Sequence, residues 1–191
     1  MDRDIAFAGL AHDLNNVLQT VAQVADLLST DRHWTVESDL LMRCVDRGRS
    51  ILESLQEEAS VVNLRAVALR AIGGLEGLRV ELAIEDGLAF EGKPLALERA
   101  LLNLLWNSAR AGATEVRIAG SRGPAVCVIE VADNGPGIAE ADLQRVFETG
   151  FSTTASTGLG LKIVEWIIHS HKGSICVSNR GGACFEIRIP L

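Results

Sequence analysis

The 191-residue sequence contains no run of eighteen or more apolar residues, so no helix in it is expected to span a membrane. Its first residues, MDRDIAFAGLAHD, lack the basic segment and long apolar run of a secretory signal. It also lacks an excess of basic charge, with a formal net charge of −7. The lysines and arginines are dispersed rather than gathered into a stripe, which argues against a nucleic-acid binder. The four cysteines, Cys44, Cys127, Cys176 and Cys184, show no CxxC spacing and sit among apolar neighbours. They read as small buried hydrophobes rather than as a disulfide framework or a zinc site. Internal repeats and low-complexity tracts are absent too. What is present is apolar. Hydrophobic residues make up 48% of the chain, enough for the core of one ordinary domain or two small ones. Disorder is therefore not expected, and the chain is read as cytoplasmic, either whole or as the soluble part of a larger protein.

Two halves read differently. Residues 1–60 hold two helical patterns. Phe7, Leu10, Leu14, Val17, Val21, Val24 and Leu28 recur at alternating steps of three and four, a heptad seam. Asp31, Arg32 and His33 interrupt it. Leu41, Cys44, Gly48, Ile51 and Leu55 then repeat the same steps, with Leu40, Val45 and Leu52 widening the stripe. Two such helices on a short loop form a hairpin. One hairpin cannot cover both stripes, but two can, so residues 1–60 are expected to form a homodimeric four-helix bundle. From about residue 61 the pattern changes. Helices are expected over 62–75, 94–111, 140–147 and 159–171, and strands over 78–84, 115–120, 125–133, 174–179 and 183–189. One mixed sheet covered on one face by helices makes residues 61–191 a two-layer α/β sandwich. The whole is α+β: a dimerising helical hairpin followed by the sandwich.

Four motifs in the second half point to a ligand. Asp133-Asn134-Gly135-Pro136-Gly137-Ile138 ends a strand and opens a loop. An acidic residue there can accept a hydrogen bond from an exocyclic amine, and the glycines allow close backbone approach. Gly158-Leu159-Gly160-Leu161 opens a helix, whose free N–H groups favour anions such as phosphates. Asn103 and Asn107 share one face of the otherwise apolar helix ALLNLLWNSARAGA. Buried amides need partners, which a protein network or a Mg²⁺ and phosphate site would supply. Arg110 lies on the same side. Finally, Phe147 and Phe151 bracket a short stretch that leads into the hydroxyl-rich Ser152–Thr157, a segment suited to a lid over a ligand.

The order of these motifs, closed by the pair Gly181-Gly182, resembles the ATP-binding domain of bacterial two-component sensor histidine kinases, a fold shared with the Hsp90, gyrase and MutL ATPases. The resemblance covers roughly 62–191. It implies ATP and Mg²⁺ as cofactors. It implies that Asp133 holds the adenine amine, with Gly135, Gly137 and Ile138 forming the adjoining loop. Asn107 then coordinates Mg²⁺, Asn103 supports the phosphate site and Arg110 contacts phosphate. Phe151, Thr153, Thr154 and Thr157 belong to the lid, and Gly158, Leu159, Gly160 and Leu161 return it to the helix. The hydrolytic ATPases of the superfamily carry a glutamate one turn before the metal-binding asparagine, to activate water. Asn103 stands there in this chain, and an amide cannot take the proton. The lid departs from the kinase pattern at Ala155, where a lysine is frequent, and at Thr149-Gly150, where Pro-Phe is frequent.

The same resemblance extends to His12, in Ala11-His12-Asp13-Leu14-Asn15-Asn16. With Leu14, Val21 and Leu28 as heptad position a, His12 falls at f, on the solvent side. HDLNN resembles the phosphoacceptor box of the kinase dimerisation hairpin. His12 is then the nucleophile, Asp13 the acceptor that fixes its tautomer, and Asn16 the residue placed to orient water in a reverse phosphatase reaction. Family members frequently have proline five residues after the histidine, where this chain has Val17. The resemblance implies a protein-histidine kinase that autophosphorylates and passes the phosphoryl group to an aspartate on a response-regulator receiver domain. The alternative is a histidine phosphotransferase of the same architecture that relays phosphate without using ATP. His169 and His171 are given no catalytic role and read as cations suiting a helix end.

Overall fold

The computed structural model describes residues 18–25, 45, 48, 57–73, 75, 77–148 and 160–191. The chain divides into two compact units, Met1–Glu57 and Glu58–Leu191. In the first, residues 18–25 are helical, as are Val45 and Gly48. Ala22, Ala25 and Val45 are buried. A Cβ on Gly48 would stand 2.7 Å from Leu18 Cδ2, so the missing side chain lets Leu18 close onto that segment. Leu18, Ala22 and Ala25, at helical spacing, form the inward stripe of the described residues. Val24, expected on the same seam as Val21, is 47% exposed. Within one chain the inward stripe is thus offset from the expected seam.

The second unit opens with β1 (Ser60–Asn63), which pairs antiparallel with β3 (Ala89–Gly92) in a separate two-stranded sheet. Neither strand was expected. Helix α1 (Leu64–Ile72) starts two residues later than its apolar pattern suggested. The cause is Asn63, whose Oδ1 accepts a hydrogen bond from the Ala66 N–H at 3.0 Å and so caps the helix. Val62, opposite Phe90 in the small sheet, belongs to the strand.

The main sheet has five strands in the order β2 (Arg79–Ile84), β4 (Glu115–Arg122), β5 (Val126–Asp133), β7 (Ala183–Pro190) and β6 (Ser174–Asn179). The β2–β4 pair is parallel and the other pairs are antiparallel, so the sheet is mixed. The parallel pair is bridged by β3 and helix α2 (Pro94–Arg110), as parallel strands require a crossover. Val116 and Ile118 of β4, Cys127, Ile129 and Val131 of β5, and Phe185, Ile187 and Ile189 of β7 are all buried. They alternate with Arg117, Glu130, Glu186 and Arg188, so one face is apolar and the other charged. The apolar residues of α1, α2 and α3 (Gly160–Ser170) join the same core. The result is a two-layer α/β sandwich.

Two local expectations change. Residues 140–147 do not form a regular helix; only Glu140–Asp142 make a 3₁₀ turn, followed by further turns. His171 is not a bare cation at a helix end. The Lys93 N–H donates to its Nε2 at 2.9 Å, and its Nδ1 lies 2.8 Å from the Ile167 carbonyl. This network places the proton on Nδ1 and leaves the ring neutral, joining the end of α3 to the start of α2.

Candidate nucleotide site

Period two puts Asp133 where it can act. Cys127, Ile129, Val131 and Asp133 alternate along β5, so Asp133 continues the face that the helices cover. It emerges where the strand ends and the apolar core stops. Its carboxylate is held on both oxygens. Oδ1 accepts from the Gly135 N–H at 3.0 Å and the Ala183 N–H at 2.9 Å. Oδ2 accepts from the Ser108 hydroxyl at 2.7 Å. Gly182 makes this approach possible. A Cβ there would lie 1.9 Å from the Asp133 carbonyl oxygen, which no side chain could tolerate.

The loop after Asp133 is tied down in two places. Asn134 Oδ1 accepts from the Thr114 and Glu115 N–H groups, and its Nδ2 donates to Thr114 Oγ1. Further on, Asn179 clamps Ile138: its Oδ1 accepts from the Ile138 N–H at 2.9 Å, and its Nδ2 donates to the Ile138 carbonyl at 2.7 Å. Gly137, between the two anchors, has φ of +74°, and a Cβ would meet Asn179 Oδ1 at 2.7 Å. Glycine is required there on both counts. Ile138 itself packs against the core.

Helix α2 borders the site. Leu97, Leu101, Leu104 and Ser108 form its buried stripe at helical spacing. The Ser108–Asp133 bond therefore brings the amide-bearing end of α2 to the end of β5. Asn107 precedes Ser108 and is half-buried. Asn103, one turn earlier, donates from Nδ2 to its own helix at the Arg99 carbonyl, 3.0 Å away. Arg110 lies exposed in the last turn, its guanidinium 6.0 Å from the Trp106 ring centroid. Gly160 begins α3, and Leu161 packs against the core. Phe147 meets Phe185 edge-on, with ring centroids 6.5 Å apart.

The structure thus brings Asp133, Gly135, Gly137 and Ile138 together in one pinned loop beside α2, which carries Asn103, Asn107 and Arg110. The residues His12, Asp13, Asn16, Phe151, Thr153, Thr154, Thr157, Gly158 and Leu159 lie outside the described residues. Three contributors were missed at the level of sequence, Ser108, Asn179 and Ala183, and Asn134 was read only as part of its motif. Ser108 carried a signal, since it sits on the apolar stripe of α2. The cysteines divide. Cys127 and Cys184 are buried, but Cys176, on the edge strand β6, is exposed. Burial pushes the Cys127 thiol up to about 11, and raises Cys184 as well.

The chain is similar to known proteins. The sensor histidine kinase GtrS of Pseudomonas aeruginosa is 30% identical across 99% of this chain, which covers 42% of that protein. The chain spans less than half the length of the curated relatives it matches. Among solved structures, the mycobacterial sensor histidine kinase MprB superposes with a TM-score of 0.64 at 25% identity, over 70% of this chain and 97% of that one. Full-length ShkA in complex with AMPPNP superposes with a TM-score of 0.73 over 97% of this chain and 45% of its own; at 22% identity that likeness speaks to fold alone. The family described as histidine kinase-, DNA gyrase B-, and HSP90-like ATPase matches residues 92–191, the span holding α2, the Asp133 loop and α3. On this match and this geometry, the chain belongs to the histidine kinase-, DNA gyrase B- and HSP90-like ATPase family, and its second unit is an ATP-binding domain.

Proposed function

We propose that the chain is the core of a sensor histidine kinase, which transfers the γ-phosphoryl group of ATP to His12 and then to an aspartate of a response-regulator receiver domain. The observation that carries this reading is the pinned Asp133 carboxylate beside a helix that has Asn103, not glutamate, one turn before Asn107. Asp133 receives the adenine amine. The part-exposed Asn107 amide fits a Mg²⁺ ion brought in on phosphate oxygens, because Mg²⁺ usually takes few protein ligands in such sites. That ion, when bound, neutralises charge on the transferring group. Arg110 adds a cation near the phosphates, and the glycine turn at Gly158-Leu159-Gly160-Leu161 supplies backbone donors. Phe151, Thr153, Thr154 and Thr157 form the lid.

Without a carboxylate at position 103, water lacks a base and the phosphoryl group waits for a better nucleophile. His12 is that nucleophile. Asp13 accepts a hydrogen bond from the N–H of one ring nitrogen, which leaves the other nitrogen free to attack the γ-phosphorus as the bond to the β-phosphate breaks and ADP departs. Catalysis is then mostly positioning and charge neutralisation. Asn16 serves the reverse reaction on the phosphorylated receiver by orienting water. Residues 1–60 are the phosphotransfer and dimerisation domain, and residues 61–191 the catalytic domain. The heptad spacing of Phe7, Leu10, Leu14, Val17, Val21, Val24 and Leu28 supports a homodimer, since two hairpins can cover stripes that one cannot. We place the domain in the cytoplasm, where ATP and receiver domains are found.

Calorimetric titration with a non-hydrolysable ATP analogue and Mg²⁺ tests the site. Saturable binding at one site per chain is expected. No binding would leave the phosphotransferase that relays phosphate without ATP as the better account.

A further inference from the structure

We propose that Ser108 is the positioning residue that aims the free acceptor direction of Asp133 at the amine of a bound base, and so sharpens its preference for that base. This rests on the nucleotide reading above and adds a residue to it. A carboxylate offers about four acceptor directions. Three are taken within the protein: two on Oδ1 by the Gly135 and Ala183 N–H groups, and one on Oδ2 by Ser108. One direction on Oδ2 remains. Which one it is depends on Ser108, because the two backbone donors hold only the other oxygen.

Ser108 is built for that task. It is 3% exposed and lies on the same stripe as Leu97, Leu101 and Leu104. A serine within a helix commonly returns its proton to the carbonyl four residues back. Here the proton goes instead to a carboxylate 25 residues away in sequence, at 2.7 Å. A hydroxyl has a single proton to give. The carboxylate can only accept, and with the Ser108 proton held on one side of Oδ2, the direction left on that oxygen for a ligand is set. A ligand amine satisfies it. A ligand carbonyl at the same place would set two acceptors against each other and leave both unpaired in a partly buried site, the arrangement that gives hydrogen-bonding sites their strong discrimination.

The test compares ADP with inosine diphosphate, which carries a carbonyl where adenine has its amine. Neither is a phosphoryl donor, so binding is read without turnover. Affinities of the full chain are measured by calorimetry for wild type, Ser108→Ala and Ser108→Cys. Removing the hydroxyl is expected to weaken ADP about threefold to tenfold, the scale of one lost hydrogen bond. Inosine diphosphate is expected to change by less than twofold, so the preference for ADP narrows. Alanine is smaller than serine and the strongest helix former, so the fold is expected to hold. Ser108→Cys keeps nearly the same volume with a weak donor and reads the same ratio independently. An equal loss for both nucleotides, or an unchanged ratio in either variant, would overturn the assignment. Failure of the wild type to bind ADP at all would instead overturn the nucleotide reading itself.

Discussion

Ser108 Oγ lies 2.7 Å from Asp133 Oδ2, a bond that ties the last turn of helix α2 to the last residue of β5. The two elements are also packed through the apolar core. The bond therefore places a charged acceptor at the edge of that core with its direction set from both sides. Each oxygen of Asp133 already serves the fold before any ligand arrives.

That double service makes Asp133→Asn informative. The amide can keep its oxygen toward the Gly135 and Ala183 N–H groups. Its nitrogen then faces Ser108, whose hydroxyl can turn to accept, and the ligand amine, which cannot. The folded state is expected to lose less than about 1.5 kcal/mol, while ADP affinity falls about tenfold or more, as for a lost charge-assisted hydrogen bond. Urea melts and calorimetry on the same sample check both halves. A fully active Asp133→Asn chain would contradict the role given to this carboxylate.

Gly182→Ala is expected to be severe. Its Cβ would stand 1.9 Å from the Asp133 carbonyl oxygen, and backbone cannot swing aside as a side chain can. Overpacking commonly costs about 1–3 kcal/mol, and this site belongs at or above the upper end. Gly181→Ala makes a useful contrast: nothing lies within 4 Å of its Cβ, and its cost is only that of a positive φ of +83°. Equilibrium denaturation of the two variants would show the larger loss at position 182.

Asn179→Ala removes both hydrogen bonds to the Ile138 backbone at once. A loss of about 1–2 kcal/mol is expected, moderated because the side chain is exposed. The loop through Gly137 then loses one of its two anchors, so hydrogen exchange at Ile138 is expected to quicken and nucleotide binding to weaken. Unchanged exchange there would mean the clamp does not restrain the loop.

The thiols offer a test of burial within the sheet. Cys176 is exposed, whereas Cys127 and Cys184 are buried, and burial pushes Cys127 from 9.0 up to about 11. The thiolate is the reactive form, and at pH 8 roughly one Cys127 in a thousand would carry it. In a Cys44→Ser background, a maleimide is expected to label Cys176 in the native protein and the other two only after denaturation. The sign of the pH effect follows. A thiol raised on folding favours the protonated form, so its contribution to stability is complete below pH 9 and is lost as pH rises from 9 through 11.

Much of this architecture was legible in the chain, for local reasons. The β6–β7 hairpin announces itself by alternation on either side of Arg180-Gly181-Gly182. The facing of Asp133 follows from its two-residue step after Val131. Helix α2 is bounded by Pro94 and by the glycine after Ala111. The small sheet was not legible: β1 and β3 have four residues each and are held by pairing with each other across a helix. The Asn179 clamp was hidden for the same reason, since its target lies 41 residues away. Ser108 stood in plain view among the buried positions of α2, but only the fold reveals that its partner is a carboxylate. Cys176 was misread because apolar neighbours in sequence fall on the opposite face of a strand.

The central claim is phosphoryl transfer from ATP to His12, and one measurement reaches it directly. The chain is incubated with γ-labelled ATP and Mg²⁺, alongside His12→Ala. The account predicts label on the wild type that is acid-labile and base-stable, as a phosphoramidate is, and none on His12→Ala. Label that persists in His12→Ala would contradict it.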